Sequence, residues 1–401
     1  MNAEEQRWQR LAELAVHGAN VQPGQIVAVS SEHGQARLAR EIAAAAYRAG
    51  AKFVDVFYYD SRIKDARVRY ADPGTLDFVP PWYGQRLLQL GENLAARISL
   101  AGLSTPKLFD GLDPSLVGKD RLPWLKEVST LIADRSTNWC IVPCPHVEWA
   151  KVVFPDLPEG DALERLWQQL EHVLRLDEPD PNAAWDERMN TLSESARRLS
   201  ERSFDALEYS GPGTELRVGL FPSGNWLAAD FQRSDGLRHI PNLPTEEVFT
   251  SPDPARADGH VTSTKPLVLR DGTIIRGLGV TFEGGRAVDI SADENGEALQ
   301  SALAVDDEAL RLGELALVDN QGRIGPLGTV FYDTLLDENA SSHIAFGGGF
   351  PFAIDDDQER GRVNESGTHI DFMIGSPELD VTGVTKDGEK VPVLRNGSWQ
   401  I

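Results

Sequence analysis

The sequence predicts an α/β protein: an amino-terminal domain built on a doubly wound parallel sheet, followed by a larger α+β domain. Three observations carry that prediction. The chain has 401 residues, more than one hydrophobic core usually sustains, so two or three domains are expected. Its first part alternates helical and strand-like segments, and from Gly211 onward the pattern turns to short strands separated by Gly, Pro and Asp turns. Between them, residues 146–160 (HVEWAKVVFPDLPEG) lose periodicity and carry Pro155 and Pro158, which places an α/β domain over 1–155 and the larger α+β domain over 156–401.

The elements follow in order. Residues 3–16 have apolar side chains at helical spacing, 25–30 (QIVAVS) read as a short apolar strand, 36–49 as an Ala-rich helix ended by Gly50, and 53–59 (FVDVFYY) as a second strand. This is a βαβ unit. Strands at 97–101 and 138–142, with helical stretches between, extend a parallel sheet with helices on both faces. Helices come next over 161–174 and 183–202, the second opened by Asp180, Pro181 and Asn182. Strands at 215–220, 267–269, 273–280, 286–290 and 315–318 then suggest an antiparallel or mixed sheet.

Composition excludes several classes. An apolar fraction of 41% with 25% charged residues is ordinary for a globular chain, and the net charge of −23 repels phosphate backbones and anionic membranes, so no nucleic acid and no membrane is expected as partner. Cys140 and Cys144 are the only cysteines; if extended, the pair lies beyond disulfide reach, which fits a reducing compartment. The first ten residues carry charges where a secretory signal needs an apolar stretch, and no run of about 18 apolar residues occurs. The expectation is a soluble, cytoplasmic protein. The turn at 31–35 (SEHGQ) has one glycine and lacks the pattern that admits a pyrophosphate, and the acidic run 355–357 lacks the spacing of a calcium loop. His17 and His33 stand alone and read as surface or capping residues.

Chemistry concentrates in the second half. Glu246 and Glu247 adjoin each other, and neighbours in an extended chain point to opposite sides, so one can bind a metal while the other approaches the reacting centre. A solvated acidic pair is the alternative. Glu314 precedes an alternating apolar stretch, Glu338 and His343 stand five residues apart, and His369 and Asp371 at i and i+2 share one face of a strand. Glu247, Glu314, Glu338, His343, His369 and Asp371 make four carboxylates and two imidazoles, more than the roughly three protein ligands of one catalytic zinc. Two metal ions sharing a bridging carboxylate use the set better. Nitrogen and oxygen donors without thiolate suit zinc, cobalt, manganese or magnesium.

The segments NLPTEEVFTSPD, LGELALV, FYDTLLDENASSHIAFG, NESGTHIDFMIGS and DVTGV resemble the thermophilic-type aminopeptidases of metallopeptidase family M29, and TNWCIVPCP, FDALEYSGPGTEL and STKPLVL fit too. The resemblance spans nearly the whole chain. It implies an amino-terminal α/β domain joined to a larger metal-binding catalytic domain, a homodimer, two divalent ions, and removal of amino-terminal residues from peptides. It also implies that Glu247, Glu314, Glu338, His343, His369 and Asp371 are the ligands, with Glu314 the best bridging candidate. Many members have Tyr seven residues after the His of DENAxxH, where this chain has Phe350, which carries no phenol hydroxyl.

A metal-dependent aminopeptidase is therefore the expected function, with Glu246 as general base because it adjoins a ligand without being needed as one. Two alternatives stand beside it. Ring-cleaving iron dioxygenases are similar to this scaffold, and His343, His369 and Asp371 would face one iron, although that leaves three carboxylates repelling one another. A non-catalytic, metal-stabilised binding protein is the other.

Overall fold

A computed structural model describes residues 2–102, 105–123, 125–269 and 272–401. The chain falls into two compact units, one of residues 1–187 with 229–244 and the other of 188–228 with 245–401. The break expected after residue 155 falls inside the first unit. There, His146 caps a short helix and a Pro-bounded turn leads into the next, so the loss of periodicity marks a connection between two helices.

In the first unit, α1 (Ala3–Gly18) is opened by a capping box in which Asn2 and Glu5 satisfy each other's backbone N–H groups. Then come β1 (Ile26–Glu32), α2 (Ala36–Arg48), β2 (Phe53–Tyr59), α3 (Ser61–Tyr70), α4 (Pro81–Glu92), β3 (Ala96–Ala101), α5 (Pro114–Lys119), α6 (Lys126–Ala133) and β4 (Asn138–Pro143). The strands form a wholly parallel sheet in the order β2-β1-β3-β4. The chain moves outward from β1 to β2, then back across β1 to β3. With right-handed crossovers this reversal sets helices on opposite faces, and α1 packs with α2 while α4 packs with α6. One row of the sheet runs Val56, Val29, Ile98, Cys140. Cys140 and Cys144 are buried and unpaired.

Three helices follow: α7 (Val147–Val153), α8 (Glu159–Val173) and α9 (Pro181–Arg202). Asp180 accepts from the Ala183 N–H at 3.1 Å and so starts α9 where the sequence predicts.

The second unit is larger and antiparallel. β5 (Ala206–Gly211), β6 (Thr214–Leu220) and β7 (Leu227–Ala228) precede β8 (Phe231–Gln232) and β9 (Arg238–His239), which belong to the first unit. The chain continues with β10 (Glu247–Thr250), β11 (Pro252–Thr262), β12 (Leu267–Val268), β13 (Ile274–Ile275), β14 (Gly279–Glu283), β15 (Arg286–Ser291) and α10 (Gly296–Leu303). It ends with β16 (Leu312–Val318), α11 (Thr334–Glu338), β17 (His343–Gly347), α12 (Asp357–Arg360), β18 (His369–Met373), β19 (Asp380–Val384), β20 (Lys390–Arg395) and β21 (Ser398–Trp399).

An eight-stranded sheet has the order β15-β14-β11-β6-β5-β19-β20-β21, and a five-stranded one the order β18-β17-β16-β10-β7. The strand expected at 273–280 divides into β13 and β14. β11, central in the larger sheet, escapes a periodicity reading because Pro252 and Pro254 open it; a register shift between Pro252 and Ala257 accommodates them.

Candidate metal centre

The five-stranded sheet assembles the candidate ligands by register. In an antiparallel pair, directly opposed residues point to the same face and the side-chain period is two. Glu314 on β16 opposes Ala345 on β17, which opposes Asp371 on β18; Ala316 opposes His343, and Phe249 on β10 opposes Ala316. Counting by twos, Glu247, Glu314, His343, His369 and Asp371 all stand on one face. Ala316 and Ala345 between them leave room for the longer side chains. The other face carries Val248, Leu315, Leu317, Ile344, Phe346 and Phe372, all buried.

A β-bulge directly before Glu314 interrupts the same strand and turns Leu312 to the opposite face. Leu312 opposes Phe346 and Glu314 opposes Ala345, so two steps on β16 match one on β17 and Gly313 is the extra residue. In an unbroken strand Leu312 and Glu314 would share a face. A Cβ at Gly313 would lie 2.1 Å from the Gly347 carbonyl oxygen, a distance only glycine avoids.

Two donor groups result, Glu247 with Glu314 and His343, and Glu314 with His369 and Asp371, each with its ligand atoms within 4.8 Å of one another. Glu314 belongs to both. His343 Nε2 lies 3.0 Å from Glu247 Oε2, and His369 Nε2 lies 3.0 Å from Glu314 Oε2 and 3.2 Å from Asp371 Oδ1. The Nδ1 of His369 donates to the Gly348 carbonyl at 2.7 Å, and that of His343 points to the Ser341 carbonyl at 3.3 Å. Both imidazoles thus turn Nε2 inward, as second partners of metal-binding histidines do. Glu338, the last residue of α11, is outside both groups, but its carboxyl interacts with Asp371, Glu247, His343 and Glu314.

Crowding sets the protonation of this cluster. Burial would lower the pKa of His343, but Glu247, Glu314 and Asp371 push it up to about 10; burial likewise opposes the charge on His369, and Asp371 and Glu314 raise it well above the usual imidazole range. Burial, with the neighbouring carboxylates, raises Glu314 and lifts Glu338 well above the ordinary carboxylate range. Asp371 resists burial because His369 and His343 favour its anion. The donor set fits divalent cations: hard oxygen and imidazole ligands converge in a buried place, and Glu247 Oε2 has no hydrogen-bond donor aligned on it despite the nearness of His343.

Glu246 is placed differently from the other six. It is fully buried, and its Oε2 accepts from Arg188 Nε at 2.5 Å. Burial opposes the charge of Arg188, but Glu246 and Asp319 outweigh it and raise its pKa. The sequence reading missed Arg188, and a signal for it exists: the residue lies three after Trp185 and four before Leu192, on the buried stripe of α9. A cation on an apolar helix face must meet buried anions. Phe350 has its ring 5.6 Å from that of His369 and 5.1 Å from that of Phe249.

Comparison with known proteins gives a consistent picture. The model of the thermophilic metalloprotease (M29) family matches residues 4–399. Aminopeptidase T of Thermus aquaticus is 39% identical over 100% of both chains. Aminopeptidase PepS of Streptococcus thermophilus is 37% identical over 97% of this chain and 96% of its own. The structure of wild-type AmpT from Thermus thermophilus covers 100% of both chains with a TM-score of 0.91 at 38% identity.

Proposed function

Since the chain belongs to the thermophilic metalloprotease (M29) family and is a peptidase, we propose that it is an aminopeptidase that removes amino-terminal residues from peptides with two divalent metal ions, zinc, cobalt, manganese or magnesium. The observation that carries this reading is the pair of donor groups joined at Glu314 on one sheet face. Glu247, Glu314 and His343 would hold one ion, and Glu314, His369 and Asp371 the other, with Glu338 completing the set. When bound, such ions lower the pKa of water toward about 7 and polarise a carbonyl.

The protein's own groups do the rest. Backbone carbonyls fix the two imidazoles with Nε2 inward, and the hydrophobic face of the sheet keeps the cluster in a rigid frame. Hydrolysis requires that water give up a proton and the departing amine gain one; a carboxylate of the cluster suits that transfer better than Glu246, whose Oε2 already accepts from Arg188. A carboxylate also pairs with the free ammonium of the substrate, which confines cleavage to the terminus. The single-iron alternative is not favoured, because Glu247, Glu314 and Glu338 remain crowded beside the facial set.

Among the described residues no helix is long and apolar enough to cross a membrane. A cytoplasmic location suits the two buried free cysteines. The family resemblance leads us to a homodimer, to be checked by light scattering at micromolar concentration.

The test of function is metal analysis of gently purified protein alongside a panel of aminoacyl substrates. Two divalent ions per chain and cleavage of free but not acetylated amino termini are expected. Replacing His369 or Asp371 with Ala should abolish cleavage and lower the metal content. One iron per chain with oxygen uptake, or full activity in either variant, would overturn the reading.

A further inference from the structure

The second unit contains a set of buried charges and amides that does not belong to either donor group. Arg188 donates through Nε to Glu246 Oε2 at 2.5 Å and through Nη2 to Asp319 Oδ1 at 2.9 Å. Asp319 directly follows β16, and its Oδ2 accepts from Trp399 Nε1 at 2.8 Å. On the other side, the backbone N–H of Glu246 donates to Asn339 Oδ1 at 2.7 Å. Asn339 is fully buried; its Nδ2 donates to the Leu335 carbonyl at 2.9 Å and reaches Glu338 Oε1 at 3.5 Å.

Glu246 is therefore gripped at both backbone and carboxylate. Each grip ends one residue from a proposed ligand, Glu246 beside Glu247 and Asn339 beside Glu338.

We propose that Arg188, Glu246 and Asn339 form a clamp that positions the metal ligands Glu247 and Glu338, Glu246 acting through its neighbour and not as the general base. The inference rests on the two-metal reading above. A base must bring an oxygen within about 2.6–3.2 Å of the proton it takes. Glu246 has Oε2 on Arg188 and Oε1 toward the Arg323 N–H at 3.4 Å. To turn toward a substrate it would have to give up its buried, charge-assisted hydrogen bond with Arg188 and leave that guanidinium with Asp319 alone. Its immobility is what a positioning role needs. β10 begins at Glu247, and Arg188 with Asn339 hold the residue directly before that first strand residue. Guanidinium suits the place because its planar fork serves two carboxylates at once, which a lysine ammonium does less well.

The experiment measures metal affinity of the full chain by chelator competition with zinc, together with kcat and KM at limiting and saturating zinc. Glu246→Gln should bind metal about ten- to a hundredfold more weakly, the usual cost of losing a group that orients a ligand, and excess zinc should bring turnover back to within about tenfold of the parent. Arg188→Lys should fall between the parent and Glu246→Gln, and it guards against misfolding in a bolder variant such as Arg188→Met. A base role predicts the opposite split: metal affinity unchanged, and turnover down about a hundredfold or more with no rescue by zinc. That result, or metal affinity within about twofold of the parent in Glu246→Gln, overturns the clamp. A parent protein that binds zinc but cleaves no aminoacyl substrate would sink the aminopeptidase reading alone, since the affinity comparison still judges the clamp. A parent that binds no zinc sinks both.

Discussion

Burial alone lowers the pKa of an imidazole, and His239 in the first unit shows that effect with little to oppose it. Its ring lies 4.5 Å from that of Trp139, and burial, opposed by the Leu237 backbone and aided by Arg233, brings the pKa down to about 4. His343 is equally enclosed, yet its carboxylate neighbours reverse the direction. For His239 the folded value lies below the unfolded one of about 6.5. The neutral ring therefore costs nothing above pH 6.5, and stability is lost as pH falls from there through about 4. A shift of this size corresponds to roughly 3 kcal/mol at most. His239→Phe should pack against Trp139 and Phe231 and remove that part of the acid sensitivity. Urea unfolding of both proteins at pH 7 and pH 4 is the check, and an unaltered pH dependence in the variant would show that the buried ring is not its source.

At the scale of elements, the five-stranded sheet works as a template for the proposed ligands, and the bulge at Gly313 directly precedes one of them, Glu314. Ser251 Oγ donates to the Gly313 carbonyl at 2.9 Å, and the Phe350 N–H donates to the same Ser251 Oγ at 2.6 Å, so the bulge is tied both to the start of β11 and to the segment after β17. Gly313→Ala must push β16 away from Gly347 and Gly348. A stability loss of about 1–3 kcal/mol is expected from such overpacking. Because Glu314 follows directly and belongs to both donor groups, metal content should fall as well. Denaturant midpoints with metal analysis test this; a variant that loses stability but keeps the parent's metal content would separate the bulge from the aim of Glu314.

For the whole molecule, the charge of −23 already disfavours compactness, and the ligand cluster adds buried carboxylates that must be neutralised by protons or by metal. The signs agree. His343 is raised to about 10, so in the metal-free protein its stabilising contribution is complete below pH 6.5 and is lost as pH rises through 10. Glu314 and Glu338 are raised as well, so their contribution is present below the ordinary carboxylate range and lost as pH rises through their folded values. Divalent ions replace these protons and bind more tightly as pH rises. A bound ion contributes about 2.7 kcal/mol at a free metal concentration a hundred times its Kd. Chelation should therefore lower the denaturant midpoint, and the gap between loaded and chelated protein should widen from pH 6.5 to about 10. A gap that is constant with pH would mean that protons and metal do not share these groups.

Local features were legible in the chain of residues alone. Alternation placed β1, β2 and β4, the capping residues opened α9, and the i, i+2 spacing of His369 and Asp371 already set both on one face of a strand, because side-chain direction in a strand depends only on parity. Residue types in short motifs likewise brought the six proposed ligands into view. Tertiary structure alone decided which strands lie side by side, and so that Glu314 falls opposite Ala345 and Asp371. It also decided that Gly313 is a bulge, that 229–244 returns to the first unit, and that Glu246 meets an arginine 58 residues away. The physical reason is range. Backbone direction and side-chain period act over a few residues, whereas register and buried ion pairs arise only when distant segments compete for the same packed interior and each buried charge must find its counterpart there.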